Sequence, residues 1–270
     1  MKNFLKLTLS VLLLGFVVAC SSSDDPKQPD PVDPVDPPKA VAKFVKNVLV
    51  EDYTATWCGY CPRVAYAIKK AQTGSEKVIA IAIHGNNDPY YYSGIGSLAS
   101  TFDVKGYPTA VIDREYHWPY PEENAGLDKG LDKKGYVGLA LKTTIENNQL
   151  TIVTKSEFAK DYAGTKLVVA LIEDKLVHDQ ANYYNDGKGN PIKNFEHNHV
   201  LRKFLTPDLG EVIPTDKAKN GKTYEKTFTV NISDFNSANC HVVAFVVESS
   251  KKVLNVQHVK AGENVDFQKL

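Results

Sequence analysis

Cysteine is scarce in this chain, with four in 270 residues. So few thiols exclude a disulfide-stapled scaffold, and a chain of this length buries enough surface to fold without one. A second Cys-x-x-Cys is missing, and no His-x-x-x-His accompanies the pair at Cys58 and Cys61. That argues against a structural zinc site, which needs about four ligands. Net charge is also missing: 32 Lys+Arg balance 32 Asp+Glu, with no basic run, so nothing points to nucleic acid as a partner. No internal repeat relates the two halves. Methionine occurs once against fourteen tyrosines, a composition that suits a β-rich, extracytoplasmic protein. What remains is 43% hydrophobic residues, enough for one large domain or two modest ones.

The N-terminal stretch MKNFLKLTLSVLLLGFVVAC places Lys2 and Lys6 before an apolar run from Leu7 to Ala19. With these flanks the run is too short to span a bilayer and predicts a secretory signal over residues 1–19. Its end, VVAC, resembles the lipobox of bacterial lipoproteins, which implies cleavage before Cys20 and lipidation of that cysteine. An ordinary signal peptide carrying a chance cysteine is the plainer reading of the same residues. Acyl chains on Cys20 anchor firmly, because each buried CH₂ contributes ~0.8 kcal/mol. Residues 20–40 are rich in Pro, Asp and Ser and hold almost nothing to bury, so they predict an extended tether. The Ser/Asp cluster behind Cys20 resembles the surface-export signal of Bacteroidota lipoproteins; retention on the periplasmic side is the other reading.

From residue 41 the texture changes. VKNVLVEDYTA reads as a buried strand, RVAYAIKKAQ as a helix that stops at Gly74, and KVIAIAIH as a second buried strand. IGSLASTFD predicts a short helix, TAVID a third strand, and ENAGLDKGLDKK one more helix despite its glycines. Alternation of this kind implies an α/β domain over 41–135. From Tyr136 the pattern turns all-β. Two strands flank Asn147 and Asn148, and further strands lie in KLVVALIED, KTYEKTFTVN, CHVVAFVVES and KVLNVQHVK, separated by the turns NDGKGNP and KNGK. That predicts an immunoglobulin-like β-sandwich over 136–270.

Cys58-Gly59-Tyr60-Cys61 falls between the first strand and the first helix, where its spacing allows three uses. A zinc site lacks ligands. A structural staple would close a tiny loop and remove little entropy from the unfolded chain. A redox pair has a mechanism: a cysteine at a helix N-terminus meets unpaired N–H groups and a positive dipole end, which favour the attacking thiolate. Pro62 suits the first helical turn, where its missing N–H costs nothing.

EDYTATWCGYC followed by a helix resembles the active-site segment of thioredoxin-like proteins, and VKGYPTAVID resembles their cis-proline segment. This likeness implies that Cys58 attacks, Cys61 resolves and Asp52 relays a proton. It also implies that Trp57, Tyr60, Tyr107 and Pro108 contact the substrate peptide, with Pro108 in cis and Tyr107 lending its backbone as a short β-pairing. Gly-Tyr between the cysteines departs from the Gly-Pro of thioredoxin itself, which leaves the direction of electron flow open. No cofactor or metal is implied.

In the back half, His197 and His199 lie two apart beside Glu196; on one strand they would face one side, a geometry for a metal or simply a polar sheet face. Cys240 reads as a small buried apolar residue. The lipobox, WCGYCP, GYPTAVIDR and EHNHVLR together resemble the outer membrane protein 28 lipoproteins of Bacteroidota. That implies an outer-membrane, lipid-anchored protein facing the periplasm or the cell surface. Its expected function is a thiol–disulfide oxidoreductase acting on envelope proteins with an unidentified redox partner. The alternative is a surface binding or adhesion lipoprotein that uses the thioredoxin-like half as a scaffold.

Overall fold

The front of the chain runs β1 (Val48–Thr54), α1 (Pro62–Gly74), β2 (Val78–His84), α2 (Ile95–Thr101), β3 (Thr109–Ile112), β4 (Tyr116–His117) and α3 (Asp128–Leu131). This computed structural model describes residues 40–270; the expected signal peptide, Cys20 and nearly all of the tether lie outside the described residues. β1 pairs in parallel with β2 and antiparallel with β3, the arrangement expected of a thioredoxin-like fold. The helix expected over residues 123–134 is broken into a 3₁₀ turn at Asn124–Leu127 and the single turn α3. Gly126 and Gly130 explain the break, since each weakens a helix by about 1 kcal/mol relative to alanine.

The back is mostly β: β5 (Val137–Glu146), β6 (Gln149–Phe158), β7 (Lys166–Glu173), β8 (Leu176–Gln180), β9 (Ile192–His197), β10 (Val200–Phe204), β11 (Glu211–Val212), β12 (Thr223–Asn231), β13 (Cys240–Val247), β14 (Val253–Lys260) and β15 (Asn264–Val265). Asn147 and Asn148, at φ 49° and 60°, turn β5 into β6; both centre positions are left-handed, the geometry of a tight hairpin that asparagine tolerates. The two histidines near residue 198 do not share a strand face. His197 closes β9, whereas His199 sits at φ 60° in the turn to β10.

One sheet joins the two parts, in the order β14-β13-β7-β10-β2-β1-β3-β4, with β11 also paired to β7. The junction is β10 beside β2, where Val200 opposes Ala82 and the Ala82 N–H donates to the His199 carbonyl at 2.8 Å. The expected boundary at residue 135 falls in the turn between α3 and β5, and strands from both sides of it share this sheet. On one face, Ile79, Ile81 and Ile83 of β2 pack with Val168, Ile172, Phe245 and α2. On the other face α1 covers β1, β2 and β3. Further along, the second sheet, β12-β6-β5-β15, packs against β7 and β13 as a sandwich. The third sheet is the hairpin β8-β9.

Cys240 opens β13 and is fully buried in the sandwich core. Burial pushes its thiol up to about 12, with Glu173 adding to the shift. Because the thiolate is the reactive species, iodoacetamide at neutral pH should leave Cys240 unmodified in the folded protein and label it only on unfolding. Mass spectrometry of labelled peptides reads this directly; rapid native labelling of Cys240 would contradict it.

Candidate active site

β1 ends at Thr54, and the chain then turns through Ala55, Thr56 and Trp57 to reach Cys58. The Cys58 N–H donates to the Ala55 carbonyl and the Cys61 N–H to the Cys58 carbonyl, both at 3.1 Å, so the segment coils before the helix begins. Cys61 caps α1 and Pro62 takes its first position, as expected. The two sulfurs form a disulfide with the Cα atoms 5.4 Å apart. Cys58 is 6% exposed and Cys61 2%.

The cysteines pack with Ala55 and the ring of Tyr107. Tyr107 and Pro108 are joined by a cis peptide. They reach the end of β1 because β3 pairs with it, Thr109 opposite Tyr53 and Ala110 opposite Asp52. Trp57 is half exposed, stands 6.0 Å from the Tyr107 ring and donates its indole N–H to the Asn86 carbonyl at 2.7 Å. The structure therefore brings together Asp52, Trp57, Cys58, Tyr60, Cys61, Tyr107 and Pro108; Cys20 is outside the described residues.

Asp52 is 3% exposed, and its Oδ1 has no hydrogen-bond partner among the described residues. Burial pushes this carboxyl up to about 8, Glu122 adds to the shift and Arg63 opposes it. Asp52 and Cys61 line the same cavity, about 490 Å³, under the N-terminus of α1; Cys58 does not reach it. Of the two cysteines, then, Cys61 alone lines the cavity that the buried acid lines.

Several contacts at the site carry no obvious sequence signal. The β8-β9 hairpin folds over the cysteine loop: the Ala181 N–H donates to the Thr56 carbonyl and the Tyr183 N–H to the Gly59 carbonyl, both at 2.8 Å. Gln180 Nε2 donates to the Cys58 carbonyl at 2.9 Å. Tyr60 meets Tyr183 and Tyr184 edge-on at 5.4 and 5.5 Å. On the far side, Asp88 accepts from the Thr56 N–H at 2.6 Å and pairs with His84 Nδ1 at 3.0 Å. The Tyr183-Tyr184 doublet just before NDGKGNP is the one available hint, but a turn sequence does not say what it will touch.

Gly59 shows how tightly the hairpin sits. A Cβ there would lie 2.3 Å from Cγ of Tyr183, closer than any real contact. Gly59→Ala should therefore push Tyr183 off the loop and speed proteolytic cleavage between β8 and β9. The expected cost is about 1–3 kcal/mol, and Tyr183→Ala in the same chain should recover part of it. An unchanged cleavage rate would show that the hairpin accommodates the methyl in place.

The sequence profile of the family Outer membrane protein Omp28 matches residues 96–265. The chain belongs to the Omp28 family. A Thioredoxin profile matches residues 38–127, so the two overlap on α2 and β3 of this Omp28-family chain. Protein disulfide-isomerase A4 of Mus musculus is 27% identical over 197 residues, covering 68% of the chain and 28% of that protein. Protein disulfide-isomerase MPD1 of Saccharomyces cerevisiae is 30% identical over 116 residues, 42% of the chain and 34% of that protein. The chain thus spans about a third or less of the length of these curated relatives. Among solved structures, HBP35 of Porphyromonas gingivalis superposes with a TM-score of 0.64 at 20% identity, over 82% of this chain and 77% of that one, a likeness of fold.

Proposed function

We propose that this Omp28-family protein is a thiol–disulfide oxidoreductase of the cell envelope, working through Cys58 and Cys61. The observation that carries the reading is the division of labour within one disulfide: Cys58 directly follows the half-exposed Trp57 of the Trp57–Tyr107 rim, while Cys61 lines a cavity with Asp52. In the reductive direction the Cys58 thiolate attacks a substrate disulfide and expels one substrate sulfur as thiolate. Cys61 loses its proton to Asp52 and attacks Cys58 Sγ, breaking the mixed disulfide. The substrate cystine gains two electrons and the Cys58–Cys61 pair is left oxidised; run backwards, the same steps oxidise a dithiol. Trp57, Tyr60, Tyr107 and Pro108 hold the substrate polypeptide. An anchor at Cys20 places the activity at the outer membrane, on its periplasmic or its outer face. An envelope redox partner resets the pair.

A second reading, a binding or adhesion lipoprotein with the thioredoxin-like part as scaffold, draws on the hairpin that covers the cysteine loop. Reduction of a model protein disulfide separates the two. The wild type should turn over and Cys58→Ser should not; equal rates in both would leave the scaffold reading standing.

A further inference from the structure

A proton that Asp52 takes from Cys61 has to leave again, and Asp52 itself is only 3% exposed. Its Oδ1 is buried and unbonded. What lies next to it is the 490 Å³ cavity, which opens to solvent beside the exposed Tyr66, Lys69 and Glu196 and has a cause in the sequence. β2 alternates isoleucines on one face with Ala80, Ala82 and His84 on the other. Register puts Ala82 opposite Asp52 and His84 opposite Thr54, so two small side chains floor the space between the acid and the histidine. Such a space, polar-lined and far larger than the ~30 Å³ share of one water, suits a short water chain.

His84 is 2% exposed, and its orientation is fixed. Nδ1 pairs with Asp88 Oδ1, which leaves Nε2 as the free ring nitrogen on a residue that lines the cavity. Burial alone would raise the Asp88 carboxyl. The His84 hydrogen bond and charge, with the Thr56 and Tyr90 amides, outweigh it and hold Asp88 at about 2, so Asp88 is ionised and ready to balance an imidazolium. The other titratable groups facing His84 are Tyr90, 5.3 Å between ring centres, and His197 of β9 at 5.6 Å. His178 lies beyond them, 6.4 Å from the Tyr90 ring. His197 is driven down to about 4 by burial first and by His84 second, so it stays neutral and does not compete for the proton. Arg63 and Glu122 are the charged groups that act on Asp52.

From this arrangement we infer that the His84–Asp88 pair is the second station of the proton path, receiving across the cavity the proton that Asp52 takes from Cys61. The inference rests on the redox reading above. In the resolving step the Cys61 thiol gives its proton to the Asp52 carboxylate, and the Cys61 thiolate attacks Cys58 Sγ. The bond from Cys58 to the substrate breaks, and the substrate sulfur leaves as thiolate. Water in the cavity carries the proton from Asp52 to His84 Nε2, and the imidazolium, paired with Asp88, releases it through the open mouth of the cavity to solvent, where the substrate thiolate is protonated. No electrons pass through His84. It is a positioning residue for the proton, not a catalytic one.

The test is single-turnover kinetics on the full protein, with attack by Cys58 and resolution by Cys61 timed separately. His84→Gln keeps a partner for Asp88 but has no basic nitrogen. It should slow resolution about 100-fold at pH 7 and leave Cys58 attack and alkylation unchanged. The deficit should shrink as pH rises and free hydroxide replaces the relay. His84→Ala should behave alike and recover when imidazole is added, because the enlarged cavity admits it. Ala82→Leu, which fills the cavity without adding or removing a titratable group, should reproduce the slow resolution. Unchanged resolution in His84→Gln, or equal slowing of attack and resolution at every pH without imidazole rescue, overturns the relay. If Cys58→Ser turns over like the wild type, the redox reading itself fails, an outcome distinct from loss of the relay alone.

Discussion

Arg114→Ala is expected to destabilise residues 40–270 by about 3–5 kcal/mol, the range for stripping one partner from a buried ion pair. Arg114 Nε donates to both oxygens of Glu51 at 3.1 and 3.0 Å, Nη2 to Oε1 at 2.7 Å, and Nη1 to the Asp208 carbonyl at 2.9 Å. Both side chains are fully buried. The guanidinium also lies over the rings of Phe102 and Phe245, at 5.0 and 4.8 Å. Alanine would leave the Glu51 carboxylate buried in mid-sheet with no cation beside it. Desolvation then dominates, and the lost stacking adds to it. Urea denaturation reads the loss as a lower midpoint at constant slope. Glu51→Leu combined with Arg114→Met should cost less than the single change, because no charge is left unpaired. A drop below ~1 kcal/mol for Arg114→Ala would mean that Glu51 finds another partner or takes up a proton cheaply.

Asp52→Asn is expected to act in opposite directions on stability and on turnover. With its carboxyl at about 8, folded oxidised protein holds a proton between roughly pH 4 and pH 8 that the unfolded chain has released. Wherever the folded state binds the extra proton, stability falls as pH rises. The wild type should therefore lose stability across that window, and Asp52→Asn, which cannot ionise, should stay flat. At pH 7 the variant should be the more stable by an amount on the order of 4 kcal/mol, since every tenfold gap in proton affinity between folded and unfolded chain is worth about 1.4 kcal/mol and about three such steps separate pH 4 from pH 7. Turnover should fall, because the amide cannot take the Cys61 proton. Denaturation midpoints from pH 4 to 8, taken beside the reductase rate, check both signs. A variant less stable than wild type at pH 7 would place the ionised carboxylate in a hydrogen-bonded environment that the structure does not show.

The front of the fold is legible because its signals are local. Alternating Ile and Ala in KVIAIAIH, the Pro62 helix start and the GYPT segment each read within a few residues. The Asn147-Asn148 turn is legible for the same reason, since two left-handed positions in succession favour asparagine. The contacts that complete the site are not. Gln180 reaches the Cys58 carbonyl, and Tyr183 reaches Gly59, from more than a hundred residues away, and neither residue type announces such a partner. Asp88 reads as one acid in a polar loop, although it holds both Thr56 and His84. Arg114 is visible only as the last letter of a motif; its ion pair depends on β3 lying beside β1, which no periodicity reports.

The pairing of β10 with β2 has a consequence for anyone who cuts this chain. β2 is buried on both faces and meets β10 at Val200 opposite Ala82, so without β10 its outer edge would lie open along an apolar strand, a template for stacking chain on chain. A fragment ending near residue 135 would carry the cysteines, Asp52 and the cis-proline segment, yet it would expose that edge and is expected to aggregate, which light scattering of the fragment beside the full chain would check. The back half thus contributes, through β10, the cover for an edge that the front half leaves open.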